Sequence, residues 1–225
     1  MVSIHTNHRL LFALPAVSYL VLVFFCAVWP AQIEKDLESK IPEPYVSELA
    51  QRGFELYGAY NCVTCHTQQI RGDERMATEI DGERTVPVLA ADARFGRERA
   101  STRGEYAHQN PVMMGTQRTG PDLSSIGKRI PDAQWHYWHL YNPQSVSPDS
   151  LMPPHRWLFT TEEPPEEDAA DYDEVKIIDG LGVDGDRLWA TPDARALVEY
   201  LLSLTRENID AEELDIETIG DEAPR

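Results

Sequence analysis

One stretch near the N-terminus is apolar without interruption. Residues 10–29 read LLFALPAVSYLVLVFFCAVW, twenty residues with no charged side chain. A helix of this length covers about 30 Å, the thickness of the hydrocarbon core of a bilayer. A buried helix of a soluble domain normally keeps a polar face, which this stretch lacks. The pattern predicts a transmembrane anchor over residues 10–30.

A cleaved signal peptide is the alternative interpretation of the same stretch. The apolar region of a signal peptide is about 7–15 residues long and ends in small residues. Here the apolar run is longer, and Trp29 and Pro30 stand where small residues would be needed. Arg9 and two histidines precede the span, whereas mainly acidic residues follow it, which predicts that residues 1–9 are cytoplasmic.

Three segments of the remaining chain show helical periodicity. They are residues 45–62, 132–143 and 191–205, and in the last Thr191 is a predicted N-cap followed by Pro192 at the first helical position. No run of strand length alternates convincingly between apolar and polar residues. The predicted fold class is therefore mainly α, with one N-terminal transmembrane helix and a helical domain with long loops.

Composition divides the chain further. A polar linker over residues 31–44 ends in prolines, an external domain covers residues 45–205, and an acidic tail over residues 206–225 is expected to be disordered. The segment Gly72–Gly115 shows little periodicity, which is unusual inside a compact domain unless the segment packs on something.

The net charge of −18 is concentrated in two places. The stretches Glu162–Glu174 and Glu207–Glu222 each contain eight acidic residues and no basic one. Such stretches are either solvated surface or a means of attracting a basic partner. They argue against nucleic acid as a partner, because its phosphates would be repelled.

Two of the three cysteines belong to a motif with a specific chemistry. Cys62, Cys65 and His66 form Cys-x-x-Cys-His, in which two thiols add to the vinyl groups of a haem and the histidine ligates the iron. A zinc site would need a second pair of Cys or His ligands, and a thioredoxin-like pair would need a βαβ context. Neither is visible, so the motif predicts one covalently bound haem c.

The sixth ligand of the iron decides between electron transfer and gas binding. The candidates are a second histidine or one of the four methionines of the external domain, Met76, Met113, Met114 and Met152. Met152 is preferred, because prolines follow it in SPDSLMPPHRWLF and stiffen its loop.

Other side chains are candidates for supporting roles. The Gly-Pro turn in RTGPDLSSIG places the carbonyl of Pro121 as an acceptor for Nδ1 of His66. His136 and His139 are expected to pack in the core or to bind a haem propionate. Three arginines are expected either to be solvated or to pair with the haem propionates: Arg71, Arg118 and Arg129.

These motifs together resemble a known family. The anchor, GFELYGAYNCVTCHTQQIR, RTGPDLSSIG and WHYWHLYNPQSVSPDSLMPPHRWL follow one another as in subunit II of cbb3-type cytochrome c oxidases, the mono-haem membrane-anchored subunit. Gln68 and Ile70 add to the likeness, which covers about residues 10–160. Gly72, where the family usually has proline, and the acidic stretches depart from it.

The resemblance implies a class I cytochrome c-like domain on the periplasmic side of a bacterial inner membrane. It implies covalent haem on Cys62 and Cys65, with His66 and Met152 as axial ligands. Electrons would pass to a catalytic haem–copper subunit that reduces oxygen, beside a further cytochrome c subunit, with a soluble cytochrome as a possible donor. Segment Gly72–Gly115 would then be docking surface for partner subunits.

Three alternatives remain at this stage. The chain resembles, less closely, the small cytochrome c subunit of a nitric oxide reductase. A membrane-anchored cytochrome that shuttles electrons on its own is a second reading, and a gas-sensing haem domain with a displaceable sixth ligand is a third.

Overall fold

The architecture comes from a computed structural model that describes residues 8–32, 47–80, 83–96, 100–106 and 109–205. The described chain divides into two compact units. The first contains residues 8–32, 102–106 and 109–110, and the second contains the remainder. Most of the predicted linker and all of the predicted acidic tail lie outside the described residues.

The first unit is dominated by one apolar helix. Helix α1 spans His8–Val23 and continues through a π-helical turn at Phe24–Val28. The window Phe12–Gln32 has 21 residues and a mean hydropathy of 2.2, and none of it is buried. Among the described residues, this is the one helix long and apolar enough to cross a membrane. It coincides with the predicted anchor.

The second unit contains five α-helices in its described part. They are α2 (Glu48–Ala59), α3 (Ile126–Arg129), α4 (Ala133–Tyr141), α5 (Pro143–Val146) and α6 (Pro192–Ser203). Helices α2 and α6 approach closely at Gly53. A Cβ added to this glycine would collide with the carbonyl of Ala196. The rings of Phe54 and Tyr57 pack edge-on against Tyr200, with centroids 5.7 and 5.5 Å away.

Side-chain caps explain where the three longer helices begin. Ser47 accepts a hydrogen bond from the N–H of Ala50 at the start of α2, at 3.1 Å. Asp132 caps α4 in the same way, and Thr191 caps α6, with Pro192 at the first helical position as predicted. The mainly α fold class is confirmed.

Five short strands were not predicted. Strand β1 (Thr78–Ile80) pairs antiparallel with β2 (Glu83–Thr85). Strands β3 (Phe159–Thr160), β4 (Asp173–Val175) and β5 (Leu188–Ala190) form an antiparallel sheet in the order β3–β5–β4. With two or three residues each, the strands are too short to show the alternation that a sequence pattern needs.

The acidic stretch over residues 162–174 joins β3 to β4 and ends inside this sheet. Arg187 pairs with Glu163 and Glu174, at 3.1 Å in each case. The carboxylate of Asp173 accepts a hydrogen bond from the hydroxyl of Tyr137 at 2.6 Å. The end of the stretch is therefore fixed to the second unit, although most of its side chains face solvent.

The described residues between 72 and 101 also pack within the second unit. The N–H of Leu89 donates to the carbonyl of Arg71 at 2.9 Å, and that of Ser101 donates to the carbonyl of Ile70 at 2.8 Å. Phe95 is 3 % exposed and belongs to the buried core. The absence of sequence periodicity here reflects an irregular but packed segment.

Candidate haem-binding site

The Cys-x-x-Cys-His motif forms one tight turn directly after α2. Asn61 adopts a left-handed backbone conformation (φ 60°), which ends the helix and lets a short 3₁₀ turn begin at Cys62. The N–H groups of Cys65 and His66 both donate to the carbonyl of Cys62, at 3.2 and 3.0 Å. Two free thiols and one imidazole are therefore held within a single turn.

The two thiols differ in environment. Cys65 is exposed, whereas Cys62 is half-buried and packs against the hydrophobic core. Burial, with a smaller contribution from Cys65, raises the pKa of Cys62 to about 11, although a backbone hydrogen bond acts in the opposite direction. Cys62 is therefore a protonated thiol at neutral pH.

His66 is held on one side by the Gly-Pro turn. Its Nδ1 lies 2.8 Å from the carbonyl oxygen of Pro121, the acceptor that the sequence suggested. A Cβ on Gly120 would collide with the imidazole ring, so backbone lies directly against the ring. In the neutral ring with Nδ1–H as donor, Nε2 carries the lone pair that can ligate a metal.

The electrostatics around His66 favour that neutral ring. Burial lowers the pKa of His66, while the carbonyl of Pro121 and the charge of Asp122 partly oppose this effect. Because neutral imidazole is the form that binds metals, the environment suits a ligand.

Gln68 links the site to the helix pair. It is fully buried, and its amide exchanges hydrogen bonds with the hydroxyl of Tyr200 on α6, at 2.8 and 3.1 Å. The hydroxyl of Tyr57 on α2 donates to the carbonyl of His66 at 3.4 Å. The segment that follows the cysteines is thus fixed to both of the long helices.

A buried carboxylate that the sequence reasoning missed joins the two halves of the site. Asp122 accepts hydrogen bonds from the hydroxyl of Thr67, the N–H of Gln69, and both the N–H and the hydroxyl of Ser124. We call these four residues the Asp122 network. The available signal was the order Gly-Pro-Asp-x-Ser, in which an aspartate commonly bonds the N–H two residues on.

A second buried carboxylate organises the arginines. Asp92 accepts hydrogen bonds from the backbone and side chain of Arg71 and from the guanidinium of Arg118. These three residues are the Asp92 network. Burial raises the pKa of Asp92, but the hydrogen bonds from the two arginines outweigh it and hold that pKa well below its usual range.

Arg118 connects the two networks. Its guanidinium also donates to Thr67 at 2.7 Å and to the carbonyl of Gln69, and it lies 3.6 Å from the carboxylate of Asp122. The third arginine, Arg129, donates to the carbonyl of Asp122. Two of the three arginines considered for propionates therefore already bind a carboxylate.

The four candidate methionines lie in different environments. Met152 is half-buried against the core, between the exposed Leu151 and Pro153. Met113 is buried and lies against Gly58 of α2. A Cβ added to Gly58 would lie 2.6 Å from the methyl carbon of Met113. The carbonyl of Met114 accepts from the N–H of Gln68, and Met76 is 63 % exposed.

The histidines of helix α4 separate into two roles. His136 is buried with Nε2 2.9 Å from the carbonyl of Ile130, a structural hydrogen bond. His139 stacks on Trp135 at 4.8 Å, and within the described residues its buried Nδ1 has no hydrogen-bond partner. Burial, with His66 and other histidines nearby, lowers the pKa of His139 to about 4.

Three further buried nitrogens resemble that of His139. Within the described part of the chain, Nδ1 of His155, Nε of Arg129 and Nε1 of Trp189 also lack partners. Buried polar atoms without partners are rare unless an absent group binds there. The described residues contain no cluster of three or more His, Cys, Asp or Glu side chains that could hold a metal ion. The donor set therefore fits a haem better than a zinc ion.

Comparison with known proteins agrees with this chemistry. Residues 6–213 match the family described as cytochrome c oxidase, mono-heme subunit/FixO. No curated protein matches the chain significantly. The matched range includes the apolar helix, the Cys-x-x-Cys-His turn, the Gly-Pro turn and Met152. The chain belongs to the FixO family, the mono-haem subunit of cytochrome c oxidase that corresponds to subunit II of the cbb3 type.

Proposed function

We propose that this chain is the electron-transfer subunit of a cbb3-type haem–copper oxidase. It holds one haem c through thioethers of Cys62 and Cys65, with His66 and Met152 as the axial ligands of the iron. The observation that carries the proposal is the hydrogen bond from His66 to the carbonyl of Pro121, made beside two free thiols in one turn.

When bound, the haem supplies a one-electron couple between ferrous and ferric iron. The residues of this chain provide the rest of the function. The Pro121 carbonyl fixes the tautomer of His66 and increases the basicity of Nε2. A thioether from Met152 would be the second protein ligand of the iron and would raise its reduction potential, which suits electron transfer rather than gas binding.

The proposed partners follow from family membership and the apolar helix. The chain is anchored in the bacterial inner membrane with its N-terminus in the cytoplasm and the haem domain in the periplasm. Electrons pass on to the low-spin haem b of the catalytic subunit, which reduces oxygen. A further cytochrome c subunit belongs to the complex, and a soluble cytochrome is a candidate donor.

Purification of the tagged full-length chain from its native membranes in mild detergent tests this assignment. A reduced-minus-oxidised spectrum and a copper analysis should show c-type haem, haem b and copper in fixed ratio. Haem b without copper would indicate a nitric oxide reductase instead. A c-type band alone would indicate a free-standing shuttle.

The ligand assignment has its own test. Met152→Ala should lower the reduction potential and convert the haem toward high spin, because the sixth position opens. Met76→Ala is the matched control, since Met76 is mostly exposed, and it should leave the spectrum unchanged. An unchanged spectrum in Met152→Ala would refute Met152 as the ligand.

A further inference from the structure

Asp122 joins the two sides of the candidate haem site. One carboxylate oxygen accepts from the hydroxyl of Thr67 at 2.6 Å and from the N–H of Gln69 at 2.8 Å. These residues lie one and three positions after His66. The other oxygen accepts from the N–H and hydroxyl of Ser124, at 2.9 and 2.5 Å.

This arrangement also fixes the geometry of the hydrogen bond between His66 and Pro121. The carbonyl that His66 contacts belongs to Pro121, the residue directly before Asp122. The backbone on the His66 side and the backbone on the Pro121 side are thus bound to one fully buried side chain. Displacing Asp122 would change the distance between Nδ1 of His66 and its acceptor.

A carboxylate is needed at this position because each of its oxygens faces a backbone N–H. An amide of the same shape would direct its NH₂ group at one of these donors, and a hydrogen bond would be lost. The guanidinium of Arg118, 3.6 Å away, supplies a nearby positive charge without replacing these bonds. Burying a charge in this way is costly unless it is fully hydrogen-bonded, as here.

We infer that Asp122 is a positioning residue that sets the strength of the His66–Pro121 hydrogen bond, and through it the reduction potential of the bound iron. The inference rests on the proposed haem function. A stronger hydrogen bond makes the imidazole a better donor, which stabilises ferric iron more than ferrous iron. Weakening that bond should therefore raise the potential.

The test uses the full-length chain within its purified complex and two variants. Asp122→Asn removes the charge and at least one hydrogen bond. Thr67→Val removes the hydrogen bond to Asp122, together with the one that Thr67 accepts from Arg118, without changing the charge. Both should shift the midpoint potential of the c-type haem upward, Asp122→Asn by more. In Thr67→Val, the Nδ1 proton of His66 should also exchange faster with solvent in the reduced protein.

Asp92→Asn is the matched control. Asp92 is equally buried and also binds Arg118, but it accepts no hydrogen bond from residues 66–69 in the described structure. It should lower stability and leave the potential unchanged. An equal upward shift in Asp92→Asn would mean a general effect of negative charge, and the inference would be overturned.

The outcomes also separate this inference from the proposed function. Covalent haem in the wild-type chain is measured first, and its absence would refute the proposed function itself. Normal haem content with an unchanged potential in Thr67→Val and Asp122→Asn would overturn the inference alone. If Asp122→Asn does not fold, the potential and proton exchange of Thr67→Val decide.

Discussion

The Asp92 and Asp122 networks differ in almost everything except burial. Both carboxylates are fully buried, and both lie in loops without regular structure. Asp122 accepts from neutral donors, two of them on a residue only two positions away. Asp92 accepts from two arginines 21 and 26 positions away in the sequence. The Asp122 network shapes the local geometry of the site, and the Asp92 network attaches a long segment to the site.

This difference indicates how the molecule fixes the loop at the candidate site and also holds a long irregular segment. The loop next to His66 is fixed by hydrogen bonds from neutral donors to Asp122. The positive charge on Arg118 lies 3.6 Å away, outside hydrogen-bond distance. The Asp92 network uses strong charge-assisted bonds to hold the described part of the segment between residues 72 and 101, which has little periodic apolar pattern. Arg118 donates to Thr67 and to Asp92, so one side chain contacts both networks.

The largest effect on stability should come from Asp92→Ala. It leaves two arginines without their shared acceptor, and removal of one partner from a buried ion pair costs about 3 kcal/mol. Chemical denaturation of the purified chain measures the change. Asp73→Ala is the control in the same segment, because its partner Arg75 is highly exposed, and it should cause no measurable change. A small effect of Asp92→Ala would mean that the segment is held by other contacts.

Arg118→Lys should have the next largest effect. Lysine keeps the charge but cannot reproduce the planar fork that reaches Asp92, Thr67 and the carbonyl of Gln69 together. Loss of about one or two charge-assisted bonds corresponds to about 2 kcal/mol in the free energy of unfolding. The same denaturation experiment on Arg71→Lys should show less, since the Arg71 side chain is half exposed. Equal losses would contradict the bridging role of Arg118.

The pH dependence of stability should identify Asp92 specifically. Its pKa is lower in the folded chain than in the unfolded chain, so the unfolded state takes up the proton first as pH falls. The stabilisation is complete above the ordinary pKa of about 4 and is lost progressively below it. Wild-type stability should therefore decrease below about pH 4 more steeply than that of Asp92→Asn. Parallel curves would show that Asp92 does not titrate in this way.

The smallest effect is expected for an exposed carboxylate. Glu163 pairs with Arg187 at 3.1 Å, but its side chain is 76 % exposed. Solvent and salt screen such a pair, so Glu163→Gln should leave the denaturation midpoint unchanged within error. A clear loss of stability would show that the acidic stretch contributes more to the second unit than its exposure indicates.

Local sequence signals were sufficient for much of the molecule. The apolar run and the Thr191-Pro192 helix start were predictable, because each depends on a few neighbouring residues. The contact between His66 and Pro121 spans 55 positions and was predicted from the Gly-Pro turn together with the haem motif. Asp92 was not, because its partners are distant in sequence and nothing in VLAADARFGRE distinguishes it from other aspartates. The three-stranded sheet was missed because its strands are too short to produce a pattern.

The contact between the Gly120 backbone and the His66 ring has a consequence for the kinetics of the proposed electron transfer. Backbone against the ring, with Nδ1 bonded to Pro121, prevents rotation about the bond between Cβ and Cγ. In the proposed function, an imidazole restrained in this way would keep one orientation in both charge states of a bound iron. Little nuclear rearrangement would then accompany each electron, because the surroundings are already in place. A glycine without a functional side chain would thus favour a low reorganisation energy.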